Sequence, residues 1–448
     1  MFDWLSKLGT KVRGSDGLQY TLASLASTAP EQATFRDPKY SALLRIWNGA
    51  DVAIAAEIRR RIADLPPSLL TALALQPIIE LTLPSPLFGY AIREDRTIVS
   101  LSELIRWGRS EPWLKWYQRF GLEKRLRSSA ELCSTVSRWR HTGFARCEWP
   151  LASLSVRTDQ TIIADDPESF SRTTRATLIA RGDRFAIAPE LADGHRQPDP
   201  LSDTFSVGVT IYALLRTVHP FGSEGLQSDS QTRWIDLPDA RRPEDLMPTE
   251  SAFTARMHHL FERCFVGGRY ARLSRPSADE LQEACRLALD QLGQCPNCGS
   301  ALLVHAQDNR RECRFCGAET GRILAFEFFD AALDAAVQPQ RTRRKTSDHL
   351  LVLSRAGHSL YARHCLADRS EVDEQTVLAR VGYADERIRI ENTSTAPFFI
   401  FRPGGDRSAA VAPGKRFAVP LQSRIFFERP QAGRIVKGAR LVACGVIN

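Results

Sequence analysis

The chain has 448 residues, which is enough for several domains and a large hydrophobic core. Its composition, 43% hydrophobic and 25% charged, is ordinary for a globular protein, and its net charge of +8 is spread along the sequence instead of marking a nucleic-acid groove. No run approaches the roughly 18 apolar residues that a membrane helix needs, and the first residues lack the apolar block of a signal peptide. We therefore expect a cytoplasmic protein that does not enter the membrane and whose main partner is not nucleic acid.

The first part of the chain mixes short apolar runs with helical patterns. Within residues 1–125, the segment 50–65 places apolar side chains with a helical period. Residues 126–290 are mostly helical in pattern. The last of these helices begins with Ser277, followed three positions later by Glu280, which is the signature of a capping box. The pattern predicts a mixed region of strands and helices, then a helical region.

Four cysteines within residues 293–327 form the strongest local signal. Two Cys-x₂-Cys pairs are separated by fourteen residues, and each lies on a glycine-bearing turn; the four are Cys295, Cys298, Cys313 and Cys316. Two such turns can complete a tetrahedral four-sulfur site for Zn²⁺, and four thiolates leave no open position, so the ion would be structural. Iron or redox-active cysteines are the alternatives. The segment resembles a zinc ribbon, whose folding energy would come largely from the metal.

The remaining residues divide into a short connection and a β-rich end. Residues 328–347 have the pattern of a short helix that continues into a linker, with a basic cluster formed by Arg341, Arg343, Arg344 and Lys345. We expect a solvated linker there, with a phosphate or membrane-surface contact as the alternative. Residues 348–448 alternate short β-like runs with turn residues, which predicts a small antiparallel β-sandwich.

The β-rich end loosely resembles a forkhead-associated (FHA) domain, a β-sandwich that binds phosphothreonine. The resemblance rests on the runs at 388–394, 398–400, 411–414 and 425–427. The Gly-Arg and Ser-x-x-His motifs of that family have no counterpart here, so Arg389, Asn392 and Ser394 are poor candidates for a phosphopeptide site. A generic β-sandwich that packs on a neighbouring domain is the alternative.

The helical region carries motifs in the order and spacing of protein kinases. Ala188-Pro189-Glu190 is the tripeptide that closes a kinase activation segment. Asp203 and the apolar run after it resemble the helix that anchors the catalytic loop from beneath, and Arg275 resembles the arginine that pairs with Glu190. The chain therefore resembles a Hanks-type Ser/Thr protein kinase over residues 10–290. The resemblance implies a bilobal fold in which Glu190, Asp203 and Arg275 have structural roles.

The same resemblance places degenerate residues at the catalytic positions. The position of the catalytic base holds Glu148, and the position of the metal-binding asparagine holds Ser153. Asp165 stands where Asp-Phe-Gly is expected, but the phenylalanine and the glycine are replaced by Asp166 and Pro167. Asp165 and Asp166 either hold a divalent ion together or are two exposed loop carboxylates.

The N-terminal lobe has no clear lysine for the ATP phosphates. Residues 14–20 resemble a glycine-rich loop that has lost glycines, or they form an ordinary turn. The candidate strand at 32–36 offers only Phe35 or Arg36 at the lysine position. Glu57, on the 50–65 helix, matches the glutamate that holds this lysine in kinases. It either pairs with Arg36 or faces water. The residues left to contact ATP and Mg²⁺ are Asp165, Lys11 and Glu57.

Phosphoryl transfer needs a lysine on the phosphates, a well-held Mg²⁺ and a fixed carboxylate, and several of these are degraded together. We therefore expect a pseudokinase scaffold or regulator that binds partner proteins, with little or no phosphoryl transfer and with weak or absent ATP and Mg²⁺ binding. The combination of regions resembles bacterial signalling kinases found alongside PP2C-type phosphatases and von Willebrand A-type proteins, and family analogy makes those proteins candidate partners. The alternatives are a divergent active Ser/Thr kinase that uses Asp165, Glu148 and Lys11, and a nucleic-acid-binding adaptor that acts through the zinc ribbon and the basic linker.

The sequence thus predicts a multidomain α+β protein with a bilobal kinase-like fold, a four-cysteine zinc ribbon and a C-terminal antiparallel β-sandwich. The expected regions are a degenerate N-lobe at 1–125, a helical C-lobe at 126–290, the ribbon at 293–327, a linker at 328–347 and the sandwich at 348–448.

Overall fold

The computed structural model describes residues 4–5, 8–29, 31–72, 78–93, 99–110, 121–157, 159–173, 186–192, 196–216, 219–220, 253–305, 312–313, 316–320, 323–332, 343–353, 357–367, 372–384, 387–403, 408–429 and 435–446. The chain divides into two compact units. The first contains Met1–Phe120, Lys124–Met247 and His259–Glu283, and the second contains Gly121–Glu123, Pro248–His258 and Ala284–Asn448. Among the described residues, none of the helices combines the length and hydrophobicity needed to span a bilayer.

A seven-stranded antiparallel sheet opens the first unit. Its strands are β1 (Lys11–Gly14), β2 (Gln19–Thr21), β3 (Ser24–Ala29), β4 (Gln32–Asp37), β5 (Ala42–Asn48), β6 (Ile79–Thr82) and β7 (Leu87–Arg93). They lie in the order β2-β1-β6-β7-β5-β4-β3, so that β3, β4 and β5 form a meander and β7 pairs with β5. Leu44 and Ile46 of β5 and Ala91 of β7 project into one buried core. The segment at 14–20 is the turn of the β1–β2 hairpin.

Helix α1 (Val52–Asp64) follows β5, and α2 (Pro67–Ala72) comes between it and β6. Asp51 caps α1, because its carboxylate accepts hydrogen bonds from the N–H groups of Ala53 at 3.0 Å and Ile54 at 3.1 Å. The helix expected at 50–65 is confirmed, but its expected apolar face is partly wrong. Val52 is 77% exposed, and the buried positions are Ala55, Ile58 and Arg61. A buried arginine is unusual on such a helix and points to a charge partner.

Helices with short strands between them form the rest of the first unit. The helices are α3 (Leu101–Ser110), α4 (Leu122–His141), α5 (Pro189–Ala192), α6 (Pro200–Arg216), α7 (Ala255–Glu262), α8 (Gly268–Tyr270) and α9 (Ala278–Asp290). Residues of α4, α7 and α9 also belong to the second unit. The short strands are β8 (Val99–Ser100), β9 (Phe144–Arg146), β10 (Leu154–Val156), β11 (Ile162–Ala164) and β12 (Phe170–Arg172), and they pair as β11-β10-β8 and β12-β9.

Helix α6 is the buried centre of this helical part. Its side chains from residue 202 to residue 215 are buried without interruption. Gly208 permits a close approach, because a Cβ atom there would lie 2.7 Å from the Cys264 sulfur in the π-helical turn Arg263–Gly267. The ring of Phe205 makes an edge contact with Phe265 of the same turn, with centroids 5.9 Å apart. These contacts hold α6 in place, and the short strands pack against it.

The expected capping box of α9 is present. The Ser277 N–H donates to the Glu280 carboxylate at 2.8 Å, and the Glu280 N–H donates to the Ser277 hydroxyl at 3.1 Å. With α9 in place, the first unit has a meander, a helix, two further strands and a helical part, in that order. This is the order of elements that the resemblance to protein kinases implies.

The second unit is mainly two antiparallel sheets. One contains β17 (His358–Tyr361), β18 (Val377–Ala384), β19 (Arg387–Asn392) and β22 (Arg416–Val419). The other contains β13 (Leu292–Gln294), β14 (Ala301–His305), β15 (Ile323–Ala332), β16 (Arg343–Val352), β20 (Phe398–Phe401), β21 (Ser408–Val411), β23 (Arg424–Phe426) and β24 (Ile435–Val446). Helix α10 (Ala362–Cys365) follows β17. Side chains of both sheets share one core, for example Phe326 and Ile390, so the unit is a β-sandwich. Its closer likeness to an FHA domain stays a prediction.

The segment expected to be a short helix and a linker, residues 328–347, is different at both ends. Strand β15 pairs with β24 along its whole length, and β16 begins at Arg343. The helix prediction is wrong because β15 is buried on both faces: Phe326 and Phe328 enter one core, and Phe329 enters another. A strand buried on both faces lacks the alternating pattern that distinguishes strands from helices. Residues 333–342, with Arg341 of the basic cluster, lie outside the described residues.

Candidate functional site

Arg45 is the cation that the sequence patterns missed. It lies on β5, the third strand of the meander, in the run Ala-Leu-Leu-Arg, where kinases have Val-Ala-Ile-Lys. Its guanidinium donates one hydrogen bond to the Asp165 carboxylate and another, of 2.9 Å, to Oε1 of Glu168. The lysine position expected at 32–36 is therefore wrong, because that segment is the neighbouring strand β4. A single arginine within a buried apolar strand was the signal that could have revealed it.

Lys11 and Glu57 do not occupy the places expected for ATP-binding residues. Lys11 is exposed on β1, and β6 and β7 separate β1 from β5, so the two strands are about 14 Å apart. Glu57 accepts hydrogen bonds at 2.7 to 2.9 Å from Arg60 and Arg61 of its own helix. Lys11 is thus removed from the site, and Glu57 orients Arg61 instead of a lysine.

Asp165 and Arg45 belong to one buried charge network. Burial raises the pKa of the Asp165 carboxyl to about 6, although the Arg45 guanidinium opposes that shift. Burial by itself would lower the pKa of Arg45, but the Asp165 and Glu168 carboxylates hold it well above its usual range. The hydroxyl of Tyr90 donates to the second oxygen of Glu168. Both carboxylates therefore have protein donors, and Arg45 is the cation that they share.

Asp166 and Ser153 are bound to a second buried guanidinium, that of Arg146. One terminal nitrogen of Arg146 lies 2.6 Å from Oγ of Ser153 and 2.6 Å from each carboxylate oxygen of Asp166. The Ser169 hydroxyl donates to the same carboxylate at 2.6 Å. Asp166 is buried, so the expectation of two exposed loop carboxylates is wrong. The side chains at both expected metal-ligand positions, Ser153 and Asp165, accept hydrogen bonds from arginines.

Glu148, at the position of the catalytic base, lies beside a third arginine. Its Oε1 atom is 3.8 Å from a terminal nitrogen of Arg61, and its side chain is 11% exposed. Arg61 is buried and donates to the main-chain oxygen of Glu168 at 3.0 Å. A general base has to reach the hydroxyl proton of a substrate, whereas Glu148 lies beside a buried guanidinium. The surroundings of Glu148 are those of an ion-pair partner.

The residues expected to be structural form close contacts in the helical part. The Asp203 carboxylate accepts hydrogen bonds at 3.2 Å from the N–H of Arg146 and from the indole of Trp149, and burial raises its pKa to about 7. Arg275 donates to the two carboxylate oxygens of Glu190 at 2.7 and 2.8 Å. The sequence did not reveal Arg272, which also donates to Glu190, at 2.9 Å. The Asp203 contacts fix the loop that carries Glu148 and Ser153.

The four cysteines of the second unit lie close enough together to hold one metal ion. The sulfur atoms of Cys295 and Cys316 are 3.7 Å apart, and so are those of Cys298 and Cys313. Zn–S bonds of about 2.3 Å in a tetrahedron place the sulfurs about 3.8 Å apart, so the thiols fit a zinc ion. They are free cysteines, so no disulfide accounts for the approach.

The turns that carry these cysteines are built alike. Gly299 and Gly317 have φ values of +70° and +69°, which glycine adopts without strain. The N–H of each glycine donates to the carbonyl of the first cysteine in its pair, at 2.9 Å to Cys295 and 2.7 Å to Cys313. Hydrogen bonds from the Asn297 amide and from the backbone lower the pKa of Cys316 to about 6. The turns thus favour thiolates, the form that binds metal.

Comparisons with known proteins find structural likeness only. No protein-family model matches the sequence. No curated protein matches it either. The chain is similar to a rhoptry kinase from Toxoplasma gondii, with 13% identity over 62% of this chain and 83% of that chain and a TM-score of 0.42. It is also similar to ROP2 from Toxoplasma gondii, described as a virulence factor with a protein-kinase fold and no enzymatic activity, with 14% identity over 63% of this chain and 85% of that chain and a TM-score of 0.43. These scores are too low to support an inference about function.

Proposed function

We propose that this protein is a pseudokinase scaffold or regulator that binds partner proteins and transfers little or no phosphate. The observation that carries the proposal is the pairing of Asp165 and Asp166 with two buried arginines, Arg45 and Arg146. In an active kinase, the carboxylate of the Asp-Phe-Gly motif holds Mg²⁺, and a second ligand comes from the catalytic loop. Here the residues at those positions already neutralise guanidinium groups.

A magnesium ion would have to compete with these arginines. A divalent ion about 4 Å from a guanidinium meets a repulsion of roughly 8 kcal/mol at an effective dielectric constant of about 20. Moving Arg146 away would also break its contacts with Ser153 and Asp166 inside the protein. Mg²⁺ gives up its waters reluctantly and needs nearly ideal octahedral ligands, which this arrangement does not offer. We therefore expect ATP with Mg²⁺ to bind weakly or not at all.

The test is to measure ATP binding and phosphoryl transfer on the full chain. Thermal melting with ATP and Mg²⁺ should show no stabilisation, and radiolabelled autophosphorylation should stay at background. Arg45→Lys is the informative variant, since it supplies the amine of active kinases without releasing Asp166 from Arg146, and we expect it to stay inactive. Robust transfer by the wild type that Asp165→Ala abolishes would show that the protein is an active kinase.

The partner-binding part of the proposal is supported by an exposed apolar surface. Tyr270 and Leu273 are 83% and 88% exposed, and Val266, four residues before Tyr270, is 44% exposed. Large apolar side chains that cluster on a surface often mark a protein contact. A bacterial PP2C-type phosphatase or von Willebrand A-type protein is the proposed partner class, by family analogy. Binding should be lost in Tyr270→Ser/Leu273→Ser and kept in the matched control Val52→Ser, which removes an isolated exposed residue.

The cysteine cluster supports a structural zinc site of the ribbon type as part of the same proposal. Four thiolates leave no position for a substrate, so the ion would stabilise the fold and not catalyse. Nucleic-acid binding through this region is a second outcome to be measured: salt-sensitive DNA or RNA binding that is lost on replacing Arg343, Arg344 and Lys345 with glutamine would favour an adaptor over a scaffold.

A further inference from the structure

Three potential metal ligands meet inside the second unit, apart from the cysteines. Asp290 ends helix α9, His349 lies on β16 and His364 lies in α10. Nε2 of His349 is 3.0 Å from Oδ2 of Asp290, and Nε2 of His364 is 3.2 Å from the same oxygen. The three ligand atoms lie within 4.8 Å of one another, and all three residues are buried. Three separate elements therefore bring two imidazoles and a carboxylate to one point.

We propose that Asp290, His349 and His364 bind a second divalent transition-metal ion, with Zn²⁺ the first candidate. Two imidazoles and a carboxylate are a donor set used for Zn²⁺ and Fe²⁺, and three protein ligands leave a position open. Ligand bonds of about 2.0–2.1 Å in a tetrahedron place the donor atoms about 3.3 Å apart, close to the separations seen here. The cysteine cluster of the same unit shows the same agreement with its own longer bonds.

Another histidine of the second unit has an unsatisfied polar atom. Nε2 of His358 is buried and has no hydrogen-bond partner among the described residues. Burial lowers the pKa of His358, and the Asp290 carboxylate opposes that shift. A buried polar atom without a partner commonly marks a water or an ion that accompanies the protein.

A cluster held only by hydrogen bonds is the competing explanation, and it leaves one contact of Arg363 unsatisfied. His364 Nδ1 accepts the Tyr361 N–H at 3.1 Å, so without a metal the imidazole proton lies on Nε2 and points at Asp290. Yet Nε of Arg363 also points its proton toward Nε2 of His364, at 3.1 Å, so two N–H donors face each other. The other side-chain contacts of Arg363 are to Asp290 at 3.4 Å, to Gln375 at 3.3 Å and to the Tyr361 ring, whose centroid is 4.9 Å away, so this side chain has to swing away from Asp290 and His364 when an ion binds.

Metal binding also has a predicted side effect on the backbone. A bond from the ion to His364 Nε2 moves the ring proton to Nδ1, where it faces the Tyr361 N–H. That hydrogen bond must then open. We expect the Tyr361 amide to exchange with solvent faster in the metal-loaded protein than in the chelator-treated protein. Unchanged protection of this amide with metal bound would place the ion elsewhere.

Metal analysis of the full chain tests the proposal directly. We expect about two equivalents of bound divalent metal in the wild type and about one in His349→Gln, which keeps a polar side chain of similar size. Asp290→Asn, which is close to isosteric, should also halve the content, whereas the control His141→Gln on the exposed end of α4 should not change it. About one equivalent in the wild type after incubation with Zn²⁺, unchanged in His349→Gln, would overturn the proposal and leave a hydrogen-bonded cluster.

Cobalt substitution separates the two sites if a variant folds poorly. Co²⁺ in the four-cysteine site gives strong sulfur-to-metal charge-transfer bands, while Co²⁺ on imidazole and carboxylate ligands gives only weak ligand-field bands. In the wild type we expect both signals to appear on titration. A titration that ends with the charge-transfer bands alone would contradict the second site.

Discussion

The first unit gathers acidic groups in a buried charge network, where Arg45 and Arg146 pair with Asp165 and Asp166, and the second unit gathers them in the cysteine cluster. The two regions balance the charge in opposite ways. In the charge network, Asp165 and Asp166 each accept hydrogen bonds from a buried arginine. In the cysteine cluster, the sulfurs face one another, at 3.7 Å between Cys295 and Cys316 and at 3.7 Å between Cys298 and Cys313. The first arrangement supplies its own cations, and the second fits an ion from outside.

The contrast distinguishes side chains that stabilise the fold from side chains that bind a metal ion. A protein that binds Mg²⁺ with its carboxylates leaves them oxygen-rich and accessible. Once arginines take that role, the same carboxylates stabilise the fold, and removing one partner leaves a buried charge. A thiolate cluster has no such substitute, since its turns aim four sulfurs at one point. We therefore expect metal to matter greatly for one region and little for the other.

The largest effect is expected in the cysteine cluster. Cys298→Ser removes one of the four sulfurs, so we expect the bound zinc of this site to be lost and the unfolding free energy of the second unit to fall by more than about 4 kcal/mol. Metal analysis and thermal melting measure the two quantities. The control is Cys285→Ala in α9, a buried thiol outside the cluster, which should keep the zinc and cost about 1 kcal/mol. Unchanged melting of a zinc-free Cys298→Ser protein would contradict a structural metal.

The next largest effect is expected in the charge network of the first unit. Arg146→Met leaves Asp166 charged and buried with only the Ser169 hydroxyl as a described donor, so we expect a loss of about 3–5 kcal/mol in unfolding free energy. The double variant Arg146→Met/Asp166→Asn removes the stranded charge and should lose less than the single variant. Denaturant unfolding measures both. A double variant that is less stable than Arg146→Met would show that the pair does not act through charge.

The sequence predicted the parts of this comparison that depend on local signals. Cysteine spacing located the metal cluster, helical periodicity located α1, and the resemblance around Asp203 located α6. The motifs around Glu190 and Asp203 located residues that do contact Arg275 and Arg146. Each of these signals lies within a few residues, or in a spacing that the chain preserves.

Arg45 and β15 escaped prediction for a shared physical reason. Both β5 and β15 are buried on both faces, so neither shows the alternation by which a strand is recognised. The partners of Arg45 are more than a hundred residues away, and their pairing depends on how the strands and loops meet. The same holds for Arg146, which had no predicted role, and for Asp166, which was expected to hold a divalent ion with Asp165 or to be an exposed loop carboxylate. Long-range charge pairing leaves no local pattern.

A smaller loss of stability is expected when the contact between Arg45 and Asp165 is removed from the charge network. Arg45→Met removes the cation from Asp165, but Glu168 keeps the hydroxyl of Tyr90 and Asp165 can take up a proton. We therefore expect a loss of about 2–3 kcal/mol, below that of Arg146→Met. Denaturant unfolding at neutral pH compares the two variants. A larger loss for Arg45→Met would mean that Arg45, and not Arg146, is the main cation of the charge network.

An effect of similar size is a pH dependence that separates an arginine-paired carboxylate from an ordinary one. Burial raises the pKa of Asp165 to about 6 in the folded protein, while the unfolded chain has its usual value near 4. Between these values the folded protein binds the proton more tightly, so the contribution of Asp165 to the unfolding free energy falls as pH rises from about 4 to about 6, by up to about 3 kcal/mol. Asp165→Asn lacks this group, whereas Asp203, whose raised pKa acts in the same direction, is present in both proteins and cancels in the difference. Unfolding free energies of the two proteins at several pH values therefore isolate Asp165. A difference that grew in favour of the wild type across that range would mean that Arg45 outweighs burial and keeps Asp165 ionised.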